Sequence, residues 1–256
     1  MIRRTCSLLI LLLWLASPSW AASLLQTGIT THDGATNFTR TTTSNVTAGS
    51  LIVVSAARWK SGDNGAYIAG DLTKSAGTAT IGTPVLEYTA APGAPATSNR
   101  VGMWSVLVTG SGSLTLQVAH SGASYGSIVV AEYSGTWDGT RTEASASGSG
   151  SGTAASSGNA SSAGAAVFVG SMTNSNGANT TITEDGAFTL LGEDQAGSDR
   201  IDHSCIGRIV STATTDAAEW TISDSIWVGG VVVFKEASGG GGGGSVIRSM
   251  LLGVGP

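Results

Sequence analysis

The sequence predicts an all-β fold, an antiparallel β-sandwich or jelly roll of about ten or more strands. Three observations predict it. Runs rich in Val and Ile recur along the chain, with period two or with no alternation, each bounded by Gly, Asn, Asp or Ser. Gly (37), Ser (35) and Thr (31) dominate the composition, and all three are poor helix formers. Hydrophobic residues make up 41% and charged residues 11%, too apolar for a disordered chain. Five prolines and no Gly period exclude collagen.

The elements follow in chain order. Residues 1–21 read as an export signal. Arg3 and Arg4 lead, Leu8–Leu15 is apolar, Pro18 breaks the run, and Ser19 and Ala21 form a small-x-small cleavage site. The apolar run is far shorter than the roughly 20 residues that span a bilayer. Residues 22–237 then read as a single β-sandwich domain. Its strands are Leu51–Trp59, Val85–Thr89, Val101–Thr109, Leu114–His120, Tyr125–Tyr133, Ala166–Ser171, Phe188–Leu191, Ile201–Val210, Glu219–Ile222 and Ile226–Lys235. Leu114, Leu116 and Val118 alternate with Thr115 and Gln117, which predicts one buried face. Ile128–Val130 and Val231–Val233 do not alternate and read as central strands. Residues 143–164 hold almost only Gly, Ser, Ala and Asn and are expected as a long loop or a small-residue edge strand. Residues 238–245 read as a glycine tether, and 246–256 as an apolar tail that contacts an export apparatus, a partner subunit or its own domain.

A weak internal echo runs through this list. A strand, a long insert, an Arg, two alternating strands and a Val-rich strand appear twice. Arg100-Val101 opens one copy and Arg200-Ile201 the other, and either a duplication or the antiparallel strands of one sandwich would generate the pattern. Ile128–Tyr133 and Val231–Lys235 close them.

Charge and cysteine content narrow the function classes. Without residues 1–21 the chain carries ten basic and 17 acidic residues, a net charge of −7. That balance offers no footprint for a phosphate backbone, so no nucleic-acid partner is expected. Cys205 is then the lone cysteine; no disulfide is available, and the thiol reads as a small buried hydrophobe.

Few residues point to chemistry. Gly122-Ala123-Ser124-Tyr125-Gly126 matches the G-x-S-x-G elbow, but a strand follows it rather than the helix that the elbow needs, so it reads as a hairpin turn. His32, His120 and His203 lack ligand spacing, and the acids between Glu193 and Asp202 read as a solvated loop; no metal or other cofactor is expected. No catalytic residue is selected. Among the aromatics, Trp104 and Trp220 share parity with core residues. Trp137, in a turn beside Asp138 and Arg141, and Trp59, at a strand end, remain as candidate surface rings for stacking on a sugar.

At Ser50–Trp59, Leu114–Gly135 and Trp227–Lys235 the chain resembles uncharacterised β-sandwich domains of secreted bacterial and phage-associated proteins, most specifically through Val129–Gly135 (VVAEYSG). The resemblance implies a non-enzymatic extracellular module and carries over no catalytic residue. The expected function is therefore a secreted or cell-surface module with a structural, adhesive or assembly role. The alternatives are a carbohydrate-binding module and a phage structural or tail-associated protein. The expected partners are a surface glycan or a partner subunit, with no span across a membrane and with a periplasmic location as a variant.

Overall fold

The structure is a computed structural model that describes residues 22–60, 65–90, 99–137, 139–174, 182–195 and 201–237. The expected export signal, the tether and the apolar tail lie outside the described residues. The fold is all-β, as the sequence predicts. Its strands are β1 (Ser23–Thr41), β2 (Leu51–Trp59), β3 (Leu72–Ala76), β4 (Thr80–Ile81), β5 (Val85–Ala90), β6 (Asn99–Gly110) and β7 (Thr115–Ser134). They continue as β8 (Thr142–Ser162), β9 (Ala166–Asn174), β10 (Thr183–Glu184), β11 (Thr189–Gln195), β12 (Asp202–Val210) and β13 (Thr214–Lys235). All pairings are antiparallel. One sheet runs β1-β7-β2-β6-β4, with β3 on β7 and β5 on β6; the other runs β10-β13-β9-β12-β11, with β8 on β13.

These two sheets are two copies of one topology. In the order β1, β2, β3, β5, β6, β7 each strand has a counterpart in β8, β9, β10, β11, β12, β13, with the same neighbours. Register agrees residue by residue. Ser55 of β2 lies opposite Met103 and Val129, while Ser171 of β9 lies opposite Cys205 and Gly230. The irregularities repeat too. Leu25 is the extra residue of β1 against Tyr133 and Glu132, and Glu143 is that of β8 against Phe234 and Val233. Glu87 bulges from β5 against Trp104 and Met103, and Leu191 from β11 against Ile206 and Cys205. Bulges are specific local features, so two shared ones are strong signs of a repeated unit. The sequence echo is thus a real repeat with its register shifted by two residues: Arg100 corresponds to Asp202, not to Arg200.

Each sheet folds over itself. The far halves of β1 and β7, with β3, bring Phe38, Leu72, Leu116 and Val118 over Ile52, Val54, Val106 and Ile128. In the second unit Ala155, Ala160, Ala218, Trp220 and Ile222 cover Phe168, Met172, Ile206, Val231 and Val233. The opposite faces of the two sheets meet in a third core, built from Leu51, Val53, Met103, Val129 and Ala131 of one unit and Val167, Val169, Cys205, Val232 and Phe234 of the other. The molecule is sandwich-like at its centre, and each half is nearly a barrel.

One sequence expectation is decided and another changes. Residues 143–164 take the small-residue edge-strand form rather than the loop: β8 pairs with β13 from Thr142 to Ser162. Small residues are needed there, because a Cβ at Gly148 would fall 2.2 Å from the Ser156 carbonyl where the strand bends back, and one at Gly150 would meet the Trp227 ring at 3.0 Å. The hairpin turn expected at Gly122–Gly126 is likewise a bend within one long strand, β7, with Gly122 at a φ of 78°.

Candidate functional site

The polar side chains that the fold brings together lie where the two units meet. Ser55 and Ser171 occupy equivalent positions in β2 and β9, and their hydroxyls share a 2.5 Å hydrogen bond across the interface. They mark the axis of a pseudo-dyad. His203 of β12 joins them, its Nε2 2.8 Å from Ser55 Oγ and 3.2 Å from Ser171 Oγ, while its Nδ1 is 2.7 Å from Ser127 Oγ of β7. All four residues are at most 1% exposed.

Burial dictates the chemistry of this cluster. Charging an imidazole away from water is costly, so the His203 pKa falls to about 3 and the ring is neutral. One ring nitrogen then donates and the other accepts, and hydroxyls, which do both, suit either side. Burial pushes the neighbouring Cys205 thiol up to about 12, against a hydrogen bond from Ser55. The thiolate is the reactive form, so Cys205 is inert in the folded protein. On the other side of the dyad the residues equivalent to His203 and Ser127 are Val101 and Val228. One half of the interface is thus polar and the other apolar.

The residues that the sequence singled out are placed as follows. Trp137 is 9% exposed and belongs to the central core. Its apolar ring fills space beside Gly135, where a Cβ would lie 2.9 Å away, so it presents no open stacking face. That corrects the expectation of a surface ring. Trp59 is half-buried at the end of β2, packs on the same core and lies 5.9 Å from the Tyr125 ring, tilted by 54°. Ser124 is buried inside β7; its Oγ is 3.1 Å from His120 Nδ1 and donates to the Gly122 carbonyl at 3.4 Å. No helix follows it, so the geometry that activates an elbow serine is missing. The acids near Asp202 are more buried than a solvated loop requires. Asp202 is 1% exposed, and its pKa rises to about 7, mainly through burial, with Asp194 and Glu193 adding and a hydrogen bond from Asn174 opposing. Among the described residues no three His, Cys, Asp or Glu side chains are grouped to hold a metal, and no helix is long and apolar enough to cross a membrane.

Sequence reading missed Ser55, Ser127 and Ser171. The available signal was a serine in the middle of an apolar run, as in Val53-Val54-Ser55-Ala56 and Ser127-Ile128-Val129. A buried hydroxyl demands a partner, and such serines point to a polar contact inside the core.

The chain matches no family model, no curated protein and no solved structure in the comparisons made with them. The functional reading therefore rests on its own residues.

Proposed function

We propose that the protein is a non-enzymatic, exported structural module that serves attachment or assembly at the cell surface. The observation that carries this reading is the use made of its reactive residue types. Ser55, Ser127, Ser171, His203 and Cys205 are sealed between the units, where they hold sheet to sheet. Two further features support it. The strands β1 and β8 are 19 and 21 residues long, and each pairs on one side only among the described residues. Unpaired edges of this kind accept strands from other chains. In the sequence, six consecutive glycines at 239–244 precede the apolar segment 246–256, a pattern that suits a tethered attachment peptide.

The test compares the full chain with a version ending at Ala237 by cell fractionation, together with their melting temperatures. The proposal expects the full chain with the surface fraction or in a high-mass assembly, and the shortened chain released with unchanged melting. Identical distribution of the two would contradict it. Release of the full chain by a competing sugar, lost in Trp59→Ala, would favour the glycan-binding reading instead.

A further inference from the structure

The pseudo-dyad relates two junctions between the units, and they are finished differently. At one, Arg141 enters the gap. Its Nε donates to Ser105 Oγ at 2.8 Å and its Nη2 to the Ser105 carbonyl at 3.1 Å. Glu87 accepts from the hydroxyls of Ser105 and Thr142. At the other junction the position equivalent to Arg141 is Ser23, whose hydroxyl instead shares a 2.6 Å hydrogen bond with Ser134. The residues that match Ser105 and Glu87 are Gly207 and Leu191. The result is a cleft of about 330 Å³ between β1 and β7 of one unit and β11 and β12 of the other. Leu24, Tyr133, Leu191, Gly207 and Ile209 form most of its wall. That volume is at the lower end of small-molecule sites, which favour joints between structural units.

An independent observation says what such a molecule must carry. The Tyr133 hydroxyl is buried and has no hydrogen-bond partner among the described residues. It lies against Gly207, where a Cβ would sit 2.6 Å from the phenolic oxygen. Burial raises the phenol's pKa, so the group stays protonated and is a donor without an acceptor. Buried polar atoms left in that condition are rare in native proteins. A cation does not suit the cleft: its wall has Leu191 where the other junction has Glu87. The Arg208 guanidinium at its margin is engaged by Asp216.

The geometry points to a binding site for a small, mainly apolar molecule with one hydrogen-bond-accepting oxygen. The oxygen meets Tyr133 Oη, and the hydrocarbon lies on Leu24, Leu191 and Ile209. This site is independent of the attachment role and stands or falls apart from it.

Cyclohexanone, an acceptor oxygen on an apolar ring, is the probe, with cyclohexane as its control. Both are titrated into the full chain while the methyl resonances of Leu24, Leu191 and Ile209 are followed by NMR. Saturable shifts confined to these methyls are expected. Tyr133→Phe should weaken cyclohexanone on the order of 2- to 10-fold and leave cyclohexane unchanged, the loss of one neutral hydrogen bond. Ile209 is 40% exposed, so Ile209→Glu leaves the core intact while charging the mouth, and it should abolish both responses. Absence of a saturable response in the unaltered chain, equal cyclohexanone affinity in Tyr133→Phe, or undiminished binding in Ile209→Glu would overturn the assignment.

Discussion

His203 and Ser127 form a polar pair exactly where the second copy of the interface has Val101 and Val228, and this makes a double-mutant cycle informative. His203→Val alone strands the Ser127 hydroxyl in the core, at a cost of about 1–3 kcal/mol. Adding Ser127→Val removes the orphan and reproduces the apolar half. The double variant is therefore expected to be more stable than His203→Val, as read from urea midpoints; a double variant that loses the sum of both single effects would refute the pairing. The same histidine sets a pH dependence. Unfolded, it binds a proton near pH 6.5; folded, only near 3. The unfolded state thus holds more protons in between, and stability falls as pH drops from 6.5 towards 3, by at most roughly 1.4 kcal/mol per pH unit. Asp202 runs the other way. Its folded pKa near 7 exceeds the ordinary carboxyl value of 3.8, so its contribution is full at low pH and is lost as pH rises through 7. The two oppose each other between about pH 4 and 6.5. Asp202→Asn removes one of them, and its stability should fall more steeply than that of the unaltered protein between pH 6.5 and 4.5. Parallel pH profiles would count against the buried state of Asp202.

At the scale of elements, the units fit together by exchanging large for small. Tyr88 of β5 lies over Gly230 of β13, where a Cβ would approach the ring to 2.5 Å; at the equivalent contact Val129 of β7 lies over Gly192 of β11, at 2.9 Å. Gly230→Val should therefore destabilise by overpacking, by about 1–3 kcal/mol or more. Tyr88→Gly in the same chain should recover part of the loss, because it copies the other contact. No recovery in thermal melts would show that these strands do not face each other. Strand legibility follows the same chemistry. Strands β2, β6, β9 and β12 announce themselves by Val, Ile and Leu, and the parity of Trp104 and Trp220 identifies both as core. Strands β1 and β8 are edges, built of Thr, Ser, Gly and Ala with little apolar alternation, so nothing in them marks a buried face. Strands β7 and β13 each read as two, because glycines at the bend of β7 and Ser223-Asp224-Ser225 in β13 resemble turns. Trp137 is illegible for a related reason: polar neighbours in sequence do not report that the ring joins the core between the two sheets.

For the whole molecule, the pseudo-dyad explains more than the fold. It places Ser55 against Ser171, sets a polar half of the central core against an apolar half, and leaves one junction closed by Arg141 and the other as a cleft with the Tyr133 hydroxyl. A disulfide tests this arrangement directly. Two hydroxyls 2.5 Å apart across the axis bring residues 55 and 171 near enough for a disulfide to join them with a small backbone adjustment. In a Cys205→Ala background, Ser55→Cys with Ser171→Cys, refolded under oxidising conditions, is expected to form an intramolecular bond. Mass spectrometry would show a monomer lacking two hydrogens and one peptide pair joined through residues 55 and 171. Two free thiols, or a bond between chains, would contradict the packing of the two units about this axis.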